Sequence, residues 1–237
     1  MEDKKIEYPI RINRYLALKG YFTRRGADEL IFQKRVKING AIAKLGDKVK
    51  EGDKVDVSAS GPRKTFVYYA YYKPEGIVTH TPQEGERSIA QAFKSNETLF
   101  PLGRLDKNSE GLIILTNDGR VTDRLLNPEY GHEKEYLVKV NKPIDREFVR
   151  RMTKGVPIEG YKTKPAHFDQ MGDKNFRLII TEGKKHQIRR MCTALGYEVI
   201  WLKRVRIMNV TLGNLRAGEG RQLKGKELEI FLKNLGL

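Results

Sequence analysis

The sequence GRLDKNSEGLIILTNDG, residues 103–119, places Asp106 in a polar loop directly before the apolar run LIILT. Gly103 and Gly111 bound this loop, and the run of branched residues predicts a buried strand. A carboxylate in that position lies at the end of a strand, where it can face a ligand while its neighbours pack in the core. An aspartate in a glycine-bounded loop is also typical of a turn or a helix cap, so the residues alone leave both interpretations open.

Outward from this segment, strand-like and helix-like stretches follow one another from Phe66 to the end of the chain. Strands are predicted for stretches rich in β-branched and aromatic residues: FVYYAYY (66–72), GLIILT (111–116), KEYLVKV (134–140), FRLIIT (176–181) and RVRIMNVTL (204–212). Helices are predicted for SIAQAFK (88–94), VTDRLL (121–126), REFVRRM (146–152), HQIRRMCTAL (186–195) and ELEIFLKNL (227–235). Because strands and helices do not alternate strictly, we expect an α+β domain with a mixed, largely antiparallel β-sheet flanked by helices.

Residues 11–57 predict a separate small domain of two helices followed by short strands. The first helical pattern ends at Gly20, and Thr23 can cap the second helix. An alternating stretch then leads to Asn39-Gly40, a strong signal for a hairpin turn. The stretch SASGPRK, residues 58–64, is typical of a linker. We therefore expect two domains, over residues 1–60 and 65–237.

The charge balance indicates a polyanionic partner. The chain has 237 residues and carries 46 Lys and Arg against 30 Asp and Glu, a net charge of +16. Residues 1–65 hold sixteen cations and nine acids, a net +7, whereas the other 172 residues hold thirty and twenty-one, a net +9. The small domain is thus denser in positive charge, which favours nucleic acid as a partner. A basic protein without such a partner is the alternative that charge alone leaves open.

Cysteine and histidine usage points away from disulfide and metal chemistry. Cys192 is the one cysteine, and its place on an apolar stripe predicts a core residue. The four histidines lack ligand spacing, so we expect no metal site; they are His80, His132, His167 and His186. The first residues, MEDKKIEYPI, carry no apolar signal core, and no apolar run nears the ~20 residues that span a bilayer. We expect a cytoplasmic protein without membrane contact.

The segment around Asp106 resembles the signature of RNA pseudouridine synthases, in the group that joins the type A enzyme for small-subunit RNA with the type B, E and F enzymes for large-subunit RNA. That signature reads G-R-L-D-x-x-[ST]-x-G-L-[IL], and its fixed positions are matched from Gly103 to Leu112. Further family motifs follow in the expected order: YKPEGIVT from Tyr72, HEKEYLVKV around Tyr136, GKKHQIRRM from Gly183 and LKRVRIMNVTLGNL from Leu202. The similarity covers essentially residues 10–235 and is nearest to the type F enzymes.

The resemblance implies an isomerase that converts a specific uridine of 23S ribosomal RNA to pseudouridine without a cofactor or a metal. It implies catalytic roles for Asp106, Tyr136 and Arg189. Three further residues are implied in substrate binding: Arg104 beside the carboxylate, Ile188 as an apolar wall of the uracil pocket, and Arg190 as a phosphate contact. A stem-loop of 23S RNA is the expected partner, and a monomer is the expected state because a single-site enzyme needs no symmetry.

The N-terminal stretch RINRYLALKGYFTRRGADELIFQKRVKING, residues 11–40, resembles an S4 RNA-binding domain. The resemblance places Arg24 and Arg25 at positions that contact phosphates. Residues 11–37 hold eight cations and only two acids, which agrees with that interpretation. We expect RNA contacts from Arg11, Arg14, Arg24, Arg25, Lys34 and Lys37. Solvated helix faces are the alternative for these cations.

A catalytic carboxylate must be ionised and close to the sugar or base. Burial can raise the pKa of an aspartate by as much as ~3 to 5 units, and a nearby cation lowers it by ~1 to 3 units. We expect Arg189, in the first turn of the predicted helix 186–195, to supply this cation beside Asp106, with support from the helix dipole. Stacking of the extruded base on Tyr136 would return ~1 to 3 kcal/mol. Arg104 would hold a phosphate or fill the place of the extruded base.

The sequence departs from the type F pattern at two places. His186 follows Lys184 and Lys185 where relatives commonly read GLNRQ, and Gly220 stands where relatives often have an aromatic residue. Two other functions stay open: the same chemistry on 16S ribosomal RNA or transfer RNA, and a non-catalytic S4-type RNA-binding or ribosome-assembly protein. The sequence does not predict the target uridine, or whether the carboxylate attacks the sugar or the base.

Overall fold

The chain forms two compact units. The computed structural model describes residues 7–19, 24–58 and 65–237. The small unit comprises the residues up to Phe66 together with Asp118–Thr122, and the large unit comprises Val67–Asn117 and Asp123–Leu237. Each unit has its own hydrophobic core. The predicted cap Thr23 and most of the predicted linker, residues 59–64, lie outside the described residues.

The small unit packs two helices on short strands. Ile12 and Leu16 from the first helix and Ala27 from the second are fully buried in its core, as their helical spacing predicts. Asn39 and Gly40 have φ angles of 51° and 84°, and this left-handed turn joins two strands of a three-stranded sheet, as predicted. The elements are β1 (Ile10–Arg11), α1 (Ile12–Leu18), α2 (Arg24–Phe32), β2 (Val36–Ile38), β3 (Ala41–Ile42), β4 (Lys48–Val49) and β5 (Val55–Val57).

From residue 65 onward, strands predominate and the helices flank them. The strands are β6 (Tyr68–Lys73), β7 (Phe100–Leu102), β8 (Glu110–Thr116), β9 (Lys134–Val140), β10 (Pro157–Ile158), β11 (Tyr161–Lys162), β12 (His167–Gln170), β13 (Asn175–Ile180), β14 (Val199–Ile207), β15 (Val210–Thr211) and β16 (Gly220–Gln222). The helices are α3 (Ile89–Ala92), α4 (Val121–Leu126), α5 (Arg146–Lys154), α6 (Gln187–Ala194) and α7 (Gly225–Asn234), with a 3-10 turn at Pro128–Tyr130. Within the described ranges, no helix has the length and apolar character to cross a bilayer.

Nine strands form one sheet in the order β12-β13-β9-β14-β8-β6-β16, with β15 paired to β14 and β7 paired to β8. The pair β14–β8 is parallel, and the other strand pairs of this sheet are antiparallel. The expected α+β architecture, with a mixed and largely antiparallel sheet, is therefore confirmed.

Strand β8 lies inside this sheet because its sequence suits burial on both faces. Gly111 to Thr116 are all buried, and β6 and β14 bond its two edges. Branched side chains on consecutive positions satisfy both faces of such a strand. The loop that carries Asp106 therefore enters a fixed central strand.

Most predicted elements are present, with one clear correction. The strand predicted over 134–140 has those bounds, and the helices predicted over 146–152 and 186–195 lie within two residues of α5 and α6. The stretch 204–212 was expected to be one strand, but it contains the end of β14 and all of β15. Met208 adopts a left-handed φ of 51°, and the chain reverses there so that Ile207 pairs with Val210.

The ring of Phe93 leaves no space for a side chain at Gly220. A Cβ at this position would lie 2.6 Å from Cε2 of Phe93 and 3.1 Å from its Cζ. The Phe93 ring packs against Tyr69 and Tyr71 on the adjacent strand. In this chain Phe93 thus occupies the space that a larger residue at position 220 would need.

Candidate active site

The loop between β7 and β8 holds the Asp106 backbone firmly and leaves its carboxylate partly exposed. The neighbouring Leu105 is 6% exposed, and both of its main-chain groups are bonded to Thr79. Leu105 N donates to Thr79 Oγ1 at 3.0 Å, and that hydroxyl donates to Leu105 O at 2.6 Å. Ser109 N donates to Asp106 O at 3.0 Å, which closes a turn. The Asp106 side chain remains 31% exposed, so a reactant can approach a carboxylate on a fixed backbone.

Cationic side chains donate hydrogen bonds to the carbonyl groups of this loop. Arg189 Nη2 donates to Asn108 O at 2.5 Å and lies 3.4 Å from Ser109 Oγ. Arg204 Nε donates to Leu112 O at 2.7 Å, and its Nη1 makes a longer contact of 3.4 Å with Arg104 O. Two guanidinium groups therefore contact the main chain on both sides of Asp106 in the sequence.

Lys73, at the end of β6, is completely buried beside the loop. Its Nζ donates to Pro74 O at 2.7 Å and Ile77 O at 2.8 Å, and lies 3.5 Å from Lys107 O. Burial lowers the pKa of Lys73 from 10.5 to about 8, whereas the charge of Asp106 acts in the opposite direction. Lys73 therefore combines a role in bracing the backbone with electrostatic contact to Asp106.

His186 is the residue that contacts the Asp106 carboxylate directly. Its Nε2 lies 3.4 Å from Asp106 Oδ1, and the contact is an ion pair when the imidazole is protonated. His186 has a left-handed φ of 51° just before α6. This conformation turns its ring toward the loop.

A buried hydrogen-bond network fixes the segment that presents His186. Gln187 Nε2 donates to Glu182 Oε1 at 2.6 Å, and Gln187 Oε1 accepts from Lys184 N at 2.9 Å. Glu182 also accepts from Lys164 N at 3.0 Å and from the Tyr161 hydroxyl. Because Glu182 and Gln187 are both buried and bonded, the turn between them is rigid.

Three residues from separate motifs meet in one buried cluster. Leu105, Tyr136 and Ile188 are 6%, 7% and 3% exposed and belong to the same hydrophobic core. Tyr136 lies on β9, directly opposite Leu178 and Arg204 in the sheet. The structure therefore places the predicted aromatic and apolar residues in the same hydrophobic core as Leu105, which precedes Asp106.

The expected ion pair between Arg189 and Asp106 is not formed. Arg189 lies in the first turn of α6, as predicted, but its guanidinium donates to Asn108 O and, through Nη1 at 3.0 Å, to Val199 O. Among the ion pairs of the described residues, the partner of Asp106 is His186. The main-chain oxygens of Asn108 and Val199 thus accept hydrogen bonds from the arginine that the sequence predicted for the carboxylate.

The two remaining predicted substrate residues differ in exposure, since Arg104 is exposed and Arg190 is half-buried. Arg104 is exposed, and its charge together with burial lowers the pKa of His80, with burial the larger cause. Arg190 Nη2 is paired with Glu159 Oε2 at 2.7 Å, and its Nη1 lies 3.4 Å from Lys185 O. Arg104 is therefore open to an anion, whereas Arg190 already has an acidic partner.

In the small unit, Arg11 and Arg14 are exposed and line one concave site. This cavity of about 360 Å³ is lined by Pro9, Ile10, Arg11, Asn13, Arg14 and Lys48. Lys34 and Lys37 are also exposed. The side chains of Arg24 and Arg25 lie outside the described residues. The exposed side chains of Arg11, Arg14, Lys34 and Lys37 are therefore accessible to an anionic partner.

Sequence reasoning did not assign roles to Lys73, Thr79, His186 and Arg204. Two of these residues are charges within apolar strand sequences: a lysine ends YYAYYK, and an arginine lies within WLKRVRI. Because charged residues are rarely buried without a specific partner, this pattern could have marked both as candidates. His186 was noted only as a departure from the relatives' pattern. Its contact with Asp106 depends on a left-handed backbone conformation at position 186, and no pattern in the sequence predicts that conformation.

Models of two protein families match this chain. The model described as RNA pseudouridylate synthase matches residues 67–194, and the S4 domain model matches residues 10–55. The chain belongs to the RNA pseudouridylate synthase family. The synthase signature that ends at Leu112 and the N-terminal S4 resemblance are both confirmed by these matches.

Curated relatives agree with this assignment. The synthase is 45% identical over 224 residues to the dual-specificity RNA pseudouridine synthase RluF of Escherichia coli strain K12, covering 92% of this chain and 77% of the relative. It is 35% identical over 229 residues to the ribosomal large subunit pseudouridine synthase B of Bacillus subtilis, covering 92% and 94%. A crystal structure of a pseudouridylate synthase matches with a TM-score of 0.69 and 32% identity, covering 95% of this chain and 99% of that one. The synthase is thus an isomerase that acts on RNA.

Proposed function

We propose that this synthase isomerises a specific uridine in a stem-loop of 23S ribosomal RNA, with Asp106 as its catalytic carboxylate. The observation that carries the proposal is a partly exposed Asp106 on a braced loop, beside the buried cluster of Leu105, Tyr136 and Ile188. The names of the two curated relatives support the RNA class, since one of them is an enzyme of the large ribosomal subunit.

The reaction breaks the bond between C1′ of the ribose and N1 of uracil and forms a bond between C1′ and C5. The C5 proton leaves and N1 gains a proton, so the product is an isomer of the substrate. Asp106 attacks as an ionised carboxylate, and Lys73 supplies positive charge nearby. The geometry is compatible with attack at either the sugar or the base.

The uridine must leave the RNA stack to reach Asp106, which costs a few kcal/mol. We assign the ring of Tyr136 as the surface on which the base stacks, and Ile188 as the apolar wall of its pocket. Both residues belong to the same hydrophobic core as Leu105, the residue that precedes Asp106. Stacking returns ~1 to 3 kcal/mol per base, which offsets much of the cost of extrusion.

The arginines of the site take different roles in this scheme. Arg189 supports catalysis through the loop carbonyls that it bonds, rather than by touching the Asp106 carboxylate. Arg104 is exposed next to Asp106 and would bind a phosphate or take the place of the extruded base. Arg190 would contact a phosphate at the rim while it stays paired with Glu159.

The small unit would hold the RNA through its exposed cations. We assign phosphate contacts to Arg11, Arg14, Arg24, Arg25, Lys34 and Lys37, which follow the S4 resemblance. We also propose domain bounds of 1–60 and 65–237, a monomeric state, and the cytoplasm as the compartment in which ribosomal RNA is met. No cofactor enters this scheme.

The test is a map of modified uridines after incubation of the wild-type synthase with unmodified 23S RNA. Carbodiimide labelling followed by primer extension is expected to show one new stop, located in a stem-loop. The Asp106→Asn variant serves as the matched control. Binding of 23S RNA with no new stop at any concentration would contradict the proposal and leave a non-catalytic RNA-binding protein.

The Escherichia coli relative is named a dual-specificity enzyme, which is the reason to test a second RNA substrate. Parallel reactions with 16S RNA and transfer RNA transcripts test this possibility. Modification of a second RNA at a rate near that of 23S RNA would extend the proposal. Modification of another RNA in place of 23S RNA would replace the assigned substrate and keep the chemistry.

The Arg11→Ala/Arg14→Ala double variant is expected to weaken RNA binding and to reduce its salt dependence. Each lost phosphate contact removes ~0.7 to 0.9 from the log-log slope of affinity against salt, so we expect a decrease of about 1.4 to 1.8. Filter binding at salt concentrations from about 50 to about 300 mM measures the slope. Lys174→Ala/Lys226→Ala removes the same charge from exposed positions of the large unit and should change the slope less. Equal slopes for both double variants would contradict the assigned contacts.

A further inference from the structure

Arg204 is a charged residue in the middle of β14 that is almost completely removed from solvent, with 4% of its surface exposed. Its Nε donates to Leu112 O at 2.7 Å, and its Nη1 lies 3.4 Å from Arg104 O. These two carbonyl groups stand on either side of Asp106 in the sequence. One guanidinium therefore reaches both ends of the loop that carries the carboxylate.

The backbone of Arg204 meets the same loop. β14 runs parallel to β8 with Arg204 opposite Gly111. Gly111 has a φ of 109°, and a Cβ at this position would lie 2.2 Å from Arg204 O. The main chain of Arg204 thus sets the position of the end of the loop, while its side chain extends back to the beginning.

Burial of this guanidinium is not explained by stability alone. Within the described residues, Arg204 Nη2 has no hydrogen-bond partner, and Arg204 forms no ion pair with an acid. Its charge helps to lower the pKa of Lys73 and of Lys134, for both of which burial is the larger cause. An apolar side chain of similar volume often stabilises such a position better than a buried charge. The burial of an arginine here therefore requires an explanation other than stability.

We propose that Arg204 is a positioning residue of the synthase, which acts through Asp106 by fixing both ends of the loop from Arg104 to Leu112. The inference rests on the proposed catalytic role of Asp106. The charge of Arg204 also acts on Lys73, whose pKa it helps to lower, although burial is the larger cause. A small displacement of a reacting group lowers the rate strongly, whereas RNA binding depends on surface cations.

The test compares Arg204→Met and Arg204→Lys with the wild-type synthase under single-turnover conditions. Arg204→Met is expected to lower the rate constant by roughly 100-fold, and Arg204→Lys by roughly 10-fold because lysine keeps the charge but not the two-point contact. The Kd for RNA should remain within about twofold, because the change affects chemistry and not phosphate contacts. Arg206→Met is the matched control, since Arg206 is an arginine of the same strand that pairs with Glu133 and Glu135.

Trp201 provides a second readout. It is the one tryptophan of the chain, and its Nε1 donates to Glu110 Oε1 at 2.8 Å, where the loop enters β8. The emission maximum of Trp201 is expected to shift in Arg204→Met, because the loop is displaced, and to stay unchanged in Arg206→Met. A role in general stability would instead give equal thermal destabilisation in both variants without a selective loss of rate.

The outcomes separate this inference from the proposed function. If Arg204→Met folds and retains the wild-type rate while Asp106→Asn is inactive, the positioning role is overturned and the function stands. If Arg204→Met does not fold, Arg204→Lys decides: a wild-type rate overturns the inference, and a reduced rate with unchanged RNA affinity supports it. A loss of rate in Arg206→Met as large as that in the Arg204 variants also overturns it.

Discussion

Asp106→Asn is expected to form no detectable pseudouridine, with a rate below about one ten-thousandth of the wild-type value. The amide has nearly the shape of the carboxylate, but it is neutral and a poor nucleophile. The main-chain bonds that hold position 106 do not involve the side chain, because they run from Thr79 to Leu105 and from Ser109 to Asp106 O. The loop should therefore keep its shape in the variant.

Release of tritium from RNA labelled at C5 of uridine measures this reaction, since the C5 proton leaves during isomerisation. RNA affinity and thermal stability should match those of the wild-type synthase. Asp173→Asn, an exposed aspartate in the turn between β12 and β13, should keep full activity. Turnover in Asp106→Asn above this threshold would mean that another group carries the chemistry.

Gly111→Ala is expected to have the largest effect on stability, a loss of about 4 kcal/mol or more. The added Cβ would lie 2.2 Å from Arg204 O and 2.7 Å from Arg204 N. Both are backbone atoms of a neighbouring strand in the middle of the sheet, so no flexible side chain can yield. The φ of 109° adds backbone strain for any residue with a side chain.

Urea unfolding at neutral pH measures the loss, and Gly85→Ala separates its two causes. Gly85 also has a positive φ, 78°, but a Cβ there has no atom within 4 Å. Its substitution should cost only the conformational term, about 1 to 2 kcal/mol. Equal losses in the two variants would show that the close approach of β14 to Gly111 is unimportant.

Much of the fold was predictable because the large sheet has strong local signals. KEYLVKV alternates and is rich in β-branched and aromatic residues, and β9 has the bounds that this pattern predicts. Short strands were missed because their sequences lack such a pattern: β7 contains Pro101, and β16 begins at a glycine. These strands form because they pair with neighbouring strands, and that pairing is a property of the tertiary structure.

The motifs supplied candidate site residues, whereas the contacts of those residues were less predictable. Tyr136 and Ile188, which come from separate motifs, lie in one buried core with Leu105. The destination of Arg189 was not predictable, because a long side chain has several acceptors within reach and tertiary packing selects among them. The bond from Arg204 to Leu112 O spans 92 residues and has no local signal.

The contacts that hold the Asp106 loop are made to its backbone and do not depend on the identity of its side chains. Lys73, Arg189 and Arg204 bond its carbonyl oxygens, and every amino acid carries such an oxygen. The side chains of Lys107 and Asn108 point outward and are exposed. Substitutions at these two positions are therefore expected to leave the backbone that carries the Asp106 carboxylate in place.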